Sequence, residues 1–125
     1  MAMKVSKYFS DYEFKCRCGC GLYLPNEELL TKLDALREAM AQPVLVTSGT
    51  RCPAWNQKCG GKPSSAHLSG EAADITTLNA GVFETIKLFY LAVTAAGFNR
   101  AGIDLKKFFI HVDVAKTLPP GFWVY

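Results

Sequence analysis

The chain has 125 residues, half of them apolar and a fifth charged, with a formal net charge of +3. That length and apolar content suit one buried core, so a single domain over residues 1–125 is expected. The small positive excess, with no basic run interleaved with aromatics, argues against a nucleic-acid partner, and no apolar run approaches the roughly 20 residues needed to cross a bilayer. No repeat or low-complexity tract is present.

Taken in chain order, the first eleven residues carry no continuous apolar segment, so no secretory signal is expected and synthesis in a cytoplasm follows. Pro25-Asn26-Glu27-Glu28 reads as a helix start, with Asn26 as N-cap and two carboxylates in the first turn. Leu29, Leu33, Leu36 and Met40 continue it at helical spacing. Val44 to Thr47 is a short β-branched run ended by Ser48-Gly49, and Pro53 opens a short helix through Lys58 before the Gly60-Gly61 loop. A strand near Ala72 to Thr76 carries Asp74. Val82 to Ala96 reads as a second long helix, with Phe83, Ile86, Tyr90 and Val93 on its buried face and Gly97 as its stop. Phe108 to Val114 is the clearest strand, placing His111 and Asp113 on one face and Ile110 and Val112 on the other. Pro119-Pro120 suits a rigid turn before a final short strand, and the aromatic tail Phe122-Trp123-Val124-Tyr125 is expected to pack on the domain.

The chain's two histidines each lie close to a carboxylate, in Ser65-Ala66-His67-Leu68-Ser69-Gly70-Glu71-Ala72-Ala73-Asp74 and in Phe109-Ile110-His111-Val112-Asp113. Imidazole nitrogen and carboxylate oxygen are the ligands that catalytic Zn2+ takes, three from the protein and a fourth position open. His67, Asp74 and His111 supply such a set; the bland alternative is a pair of satisfied, half-buried histidines.

The pattern Ser-x-His-x-x-Gly-x-Ala-x-Asp followed by a strand carrying His-x-Asp resembles the D-alanyl-D-alanine carboxypeptidase/endopeptidase family of zinc peptidases, M15, which cut the peptide stems of bacterial cell walls. Ser65, His67, Gly70, Ala72 and Asp74 match its first motif. Ser48-Gly49-Thr50-Arg51 is similar to the family's Ser-Gly-Tyr-Arg segment, with Thr50 in place of the tyrosine; Asn56 and Gly60-Gly61 extend the match. The resemblance implies an α+β fold, a small antiparallel sheet with flanking helices like that of the hedgehog signalling domain and DD-peptidases. It also implies a zinc ion on His67, Asp74 and His111, and Arg51 facing the scissile carbonyl. Its substrate would be the peptidoglycan stem peptide, met by a monomer after release from the cell or carried on a virion, without membrane or nucleic-acid partners. Relatives place a catalytic carboxylate three residues before the last histidine, where this chain has Phe108. Asp113 is then either the general base or the carboxylate that orients His111, and Asp104 is the other base if Lys106-Lys107 turns the chain back. Ser65 is expected either to hydrogen-bond a ligand or the substrate or to cap a turn, and Gly70 to let the backbone pass close to the metal.

Two other functions fit the same residues: a binding module that keeps the fold and the metal without hydrolysis, and a small cysteine-zinc adaptor. Five cysteines, Cys16, Cys18, Cys20, Cys52 and Cys59, cannot all pair within one chain. Free thiols, a disulfide from the amino-terminal cluster to Cys52 or Cys59, and a structural zinc remain the three alternatives.

Overall fold

The computed structural model describes residues 2–125. A 3-10 turn at Asp11–Glu13 precedes helix α1 (Glu27–Met40), strand β1 (Val44–Ser48), helix α2 (Pro53–Lys58), a second 3-10 turn at Ala66–Ser69, strand β2 (Ala72–Thr77), helix α3 (Val82–Thr94), and strands β3 (Arg100–Asp104), β4 (Phe109–Asp113) and β5 (Gly121–Val124). The five strands form one sheet in the order β1-β2-β4-β3-β5. The architecture is α+β, as the sequence pattern implied.

Helix α1 begins where Asn26 Oδ1 accepts from the Leu29 amide at 2.9 Å, which satisfies one of the donors a helix start leaves open. It buries Leu29, Leu30, Leu33, Leu36 and Met40. These meet a sheet face made of Val44, Val46, Ala73, Ile75, Ala101, Ile103, Ile110 and Val112, and Phe9, Phe14, Leu88 and Phe98 complete the same core. Period-two alternation sends the intervening residues to the opposite face. A register shift between Val46 and Ser48 leaves Ser48 opposite Asp74, so the chain leaves β1 on the side away from the helices.

Two expectations need correction, and one strand has no counterpart in the sequence reading. Helix α3 buries Thr85, Leu88 and Ala92, with Phe89 and Leu91 packed against the core; Phe83, Ile86 and Tyr90 are exposed. The helix is apolar nearly all round, so two stripes at helical spacing compete, and periodicity alone cannot choose between them. The sheet is mixed: β5 pairs with β3 in parallel, while the other three pairs are antiparallel. After β4 the chain must step over β3, a lateral distance of roughly 10 Å, and residues 114–120 carry it to the outer edge. Finally, Arg100–Asp104 is a strand although it contains one strong β-former, Ile103, and a glycine. Hydrogen bonding to β4 on one side and β5 on the other overrides its weak local preference.

Helix α1 ends on Ala41 in the left-handed region at φ 56°, with its amide donating to the Arg37 carbonyl at 3.2 Å. Ala41 is exposed, so its side chain contributes little packing to offset that conformation. Ala41→Gly should raise stability by about 0.5–1 kcal/mol, measured by urea denaturation; a loss of stability would contradict this account of the helix end.

Candidate metal centre

On the sheet face away from the helices, Asp74 of β2 stands directly opposite His111 of β4. The pair exists because both strands place their small and aliphatic residues, Ala73, Ile75, Ile110 and Val112, in the core, which sends Asp74 and His111 outward together. His67 arrives from the 3-10 turn just before β2. Ser65 caps that turn, its hydroxyl accepting from the His67 amide at 3.3 Å. Gly70 ends the turn at φ 75°, and a Cβ there would overlap the Leu24 carbonyl. The close approach that requires glycine here is to the Leu24 backbone.

Asp74 Oδ1 lies 3.3 Å from His67 Nε2 and 3.0 Å from His111 Nδ1. The far ring nitrogens have their own acceptors: His67 Nδ1 donates to the Gly49 carbonyl at 2.7 Å, and His111 Nε2 to Asp113 Oδ2 at 2.8 Å. With those tautomers, the lone pairs of His67 Nε2 and His111 Nδ1 face Asp74 Oδ1, and three acceptors converge on one region. Such a cluster holds together only around a cation, either protons or a metal. In the metal-free protein, burial pulls His111 down, but its bonds to Asp113 and Asp74 outweigh this and leave it raised above the usual histidine value. Burial likewise pushes the Asp74 carboxyl up, and the two histidines outweigh it, holding it well below the usual carboxylate range. The three ligand atoms lie within 4.8 Å of one another. A borderline-soft dication taking two imidazoles and one carboxylate fits this donor set.

A layer of charge surrounds the three residues. Arg51 donates from Nη2 to Asp74 Oδ2 at 3.2 Å, from Nε to the Ser48 hydroxyl at 3.2 Å, and from Nη1 to Asn56 Oδ1 at 3.3 Å. Asn56 is buried, and its Nδ2 donates to the Lys62 carbonyl at 3.0 Å; a Cβ on Gly61 would overlap its side chain. Thr50, where the family pattern has tyrosine, is buried and accepts from the Leu24 amide at 3.1 Å. Asp113 is 1% exposed and has both oxygens engaged, Oδ2 by His111 and Oδ1 by Arg100 Nε at 2.8 Å and the Ala115 amide at 3.1 Å. Asp104 ends β3 on the same sheet face. Its Oδ1 accepts from the Lys106 and Lys107 amides at 2.8 Å each, so those lysines do form the turn, while Oδ2 takes no hydrogen bond among the described residues. The Lys107 and Lys106 amides, outweighing burial, hold its carboxyl below the usual range.

Arg51, His67, Asp74, Asp104, His111 and Asp113 line an open cleft of about 830 Å³, together with Lys62, Lys107, Trp123 and Tyr125, a size in the range of small-ligand sites. The tail forms one wall: the Trp123 ring lies 5.5 Å from the His111 ring and under the Arg100 guanidinium at 5.2 Å. Arg100 and the tail aromatics were not read as site residues from the sequence. No local pattern marks them, because Arg100 reaches Asp113 across a hairpin and Trp123 reaches the cleft through a parallel pairing between distant segments.

The family model described as Peptidase M15 matches residues 7–113. No curated protein matches the chain.

Trp123 can lie against the sheet because the residue beneath it is Gly102, where a Cβ would overlap the indole. Gly102→Ala should displace that ring, shift tryptophan emission, and lower stability by about 1–3 kcal/mol. Fluorescence and urea denaturation check this, and unchanged values in both would show that the wall is not set by this contact.

Proposed function

The chain belongs to the M15 peptidase family, and from that premise we propose that it hydrolyses peptide bonds in the stem peptides of bacterial peptidoglycan, with zinc held by His67, Asp74 and His111. The observation that carries this reading is the convergence of three lone pairs from two imidazoles and a carboxylate at the floor of a cleft. Zinc bound there would supply a Lewis acid and bring the pKa of a coordinated water to about 7.

The protein's own residues divide the remaining work. Arg51 has five N–H groups, and three of its hydrogen bonds go to Ser48, Asn56 and Asp74. Those bonds hold the guanidinium plane in place beside the ligands and leave donors for the scissile carbonyl as negative charge develops on it. Asp113 accepts from His111, Arg100 and the Ala115 amide through both oxygens, which suits it to orienting the imidazole more than to taking a proton from water. Asp104, with Oδ2 unengaged and the cleft in front of it, is the carboxylate suited to general-base duty. Asp74 and Asp113 are balanced by Arg51 and Arg100. A dication would therefore leave the site positive, and Lys62 and Lys107 line the same cleft. That charge suits a peptide carrying carboxylates.

Digestion of purified peptidoglycan, followed by mass spectrometry, tests the assignment. His67→Ala should lose this zinc and all release of stem fragments. Arg51→Ala should keep zinc and slow turnover by about 10²–10³. Asp104→Asn should slow turnover by about 10²–10⁴ with zinc retained, whereas Asp113→Asn should weaken zinc binding by roughly 10–100-fold and recover in part with added zinc. Zinc-loaded protein that releases no fragment would replace the peptidase with a binding module of the same fold.

A further inference from the structure

Residues 14–26 run without regular structure between the first 3-10 turn and α1, and most of them are exposed. Four of the five cysteines meet there. Sγ atoms of Cys16, Cys18, Cys20 and Cys52 all lie within 4.8 Å of one another, with Cys16 to Cys18 at 3.4 Å and Cys18 to Cys52 at 3.7 Å. Four thiolates on a tetrahedral zinc, with Zn–S near 2.3 Å, stand about 3.8 Å apart. A disulfide would join two sulfurs, whereas here Cys18 is approached by two partners at once.

The backbone is arranged for the same purpose. Gly19 and Gly21 take φ of 92° and 81°, turning three cysteines spaced two apart toward one point, and the Cys16 amide closes the loop on the Leu22 carbonyl at 2.8 Å. Two amides donate to the sulfurs, Cys52 N–H to Cys16 Sγ at 3.3 Å and Trp55 N–H to Cys52 Sγ at 3.4 Å. Amide donors aimed at sulfur favour the thiolate, the form that binds metal. Only Cys16 is buried, while Cys18 and Cys20 are exposed, so apolar packing does not account for bringing the four together. None of them lines the cleft.

We propose that Cys16, Cys18, Cys20 and Cys52 bind a second zinc ion, a closed four-thiolate centre that pins the amino-terminal loop to the start of α2. Cys52 directly follows Arg51, and the neighbouring Thr50 is tied to the same loop by its amide on the Phe14 carbonyl and by its hydroxyl under the Leu24 amide. The centre therefore positions the arginine segment without touching substrate. Binding releases the thiol protons, so affinity falls as the medium is acidified.

The test is metal counting on the full chain purified under reducing conditions. Wild type should carry about two zinc ions, and His67→Ala about one, with that remaining ion released by an organomercurial that titrates thiolates. In the zinc-loaded protein, Cys59 should react quickly with a thiol reagent and the other four slowly. Cobalt exchanged into His67→Ala should give sulfur-to-metal charge-transfer absorption, absent after further Cys18→Ser and Cys20→Ser replacement. His67→Ala with no metal and five rapidly reactive thiols, or with a mass deficit showing disulfides among the four, would overturn the proposal. Because that variant keeps every cysteine, the answer does not depend on whether the cysteine variants fold. A thiolate-bound zinc in a protein that digests nothing would separate this centre from the peptidase reading.

Discussion

Everything at the cleft depends on the antiparallel register that sets Asp74 opposite His111. A one-residue slip between β2 and β4 would turn one partner into the core and bring an aliphatic residue out in its place, since side chains alternate faces with a period of two. The core prevents that slip. Ala73, Ile75, Ile110 and Val112 are fully buried against the helices, and inverting either strand would expose these apolar residues while burying an unpaired carboxylate or imidazole. The polar site is thus located by the packing of the face it does not occupy.

Burial of so many charged groups is tolerated because each is paired and hydrogen-bonded. Asp74 meets Arg51 and both histidines, and Asp113 meets Arg100 and His111. Paired charges of this kind add little net stability. Their use is positional: the bonds from Gly49 and Asp113 select which ring nitrogen of each histidine is left for a cation. Two separate segments, the one holding Gly49 to Arg51 and the one holding Arg100, reach the ligand pair from opposite sides.

Local patterns carried much of this architecture. Asn26 and the leucine stripe behind it marked α1, Pro53 marked α2, and the alternation from Phe109 to Asp113 put His111 and Asp113 on one face. Where two readings were chemically equal, local pattern failed. In α3 the stripe of Phe83, Ile86 and Tyr90 is as apolar as that of Leu88, Phe89 and Ala92, and only the presence of α1 and the sheet on one side decided which was buried. In β3, Gly102 weakens the strand when considered alone, yet it is the residue that admits Trp123.

By itself the sequence marked the candidate ligands, their order and the strands that carry Asp74 and His111, because these follow from short-range spacing and side-chain chemistry. It also singled out Arg51 and two further carboxylates, Asp104 and Asp113, through motif resemblance and through their positions near the candidate ligands. Only the tertiary structure decided how the carboxylates differ. Asp113 has both oxygens hydrogen-bonded, by groups that include Arg100, thirteen residues earlier, while the bonds to Asp104, a residue that lines the cleft, fall on Oδ1 alone. It likewise decided that Cys52 joins the cluster of Cys16, Cys18 and Cys20, a contact across 32 residues of chain or more. Such partnerships arise from the folding of distant segments onto one sheet, and no local spacing encodes them.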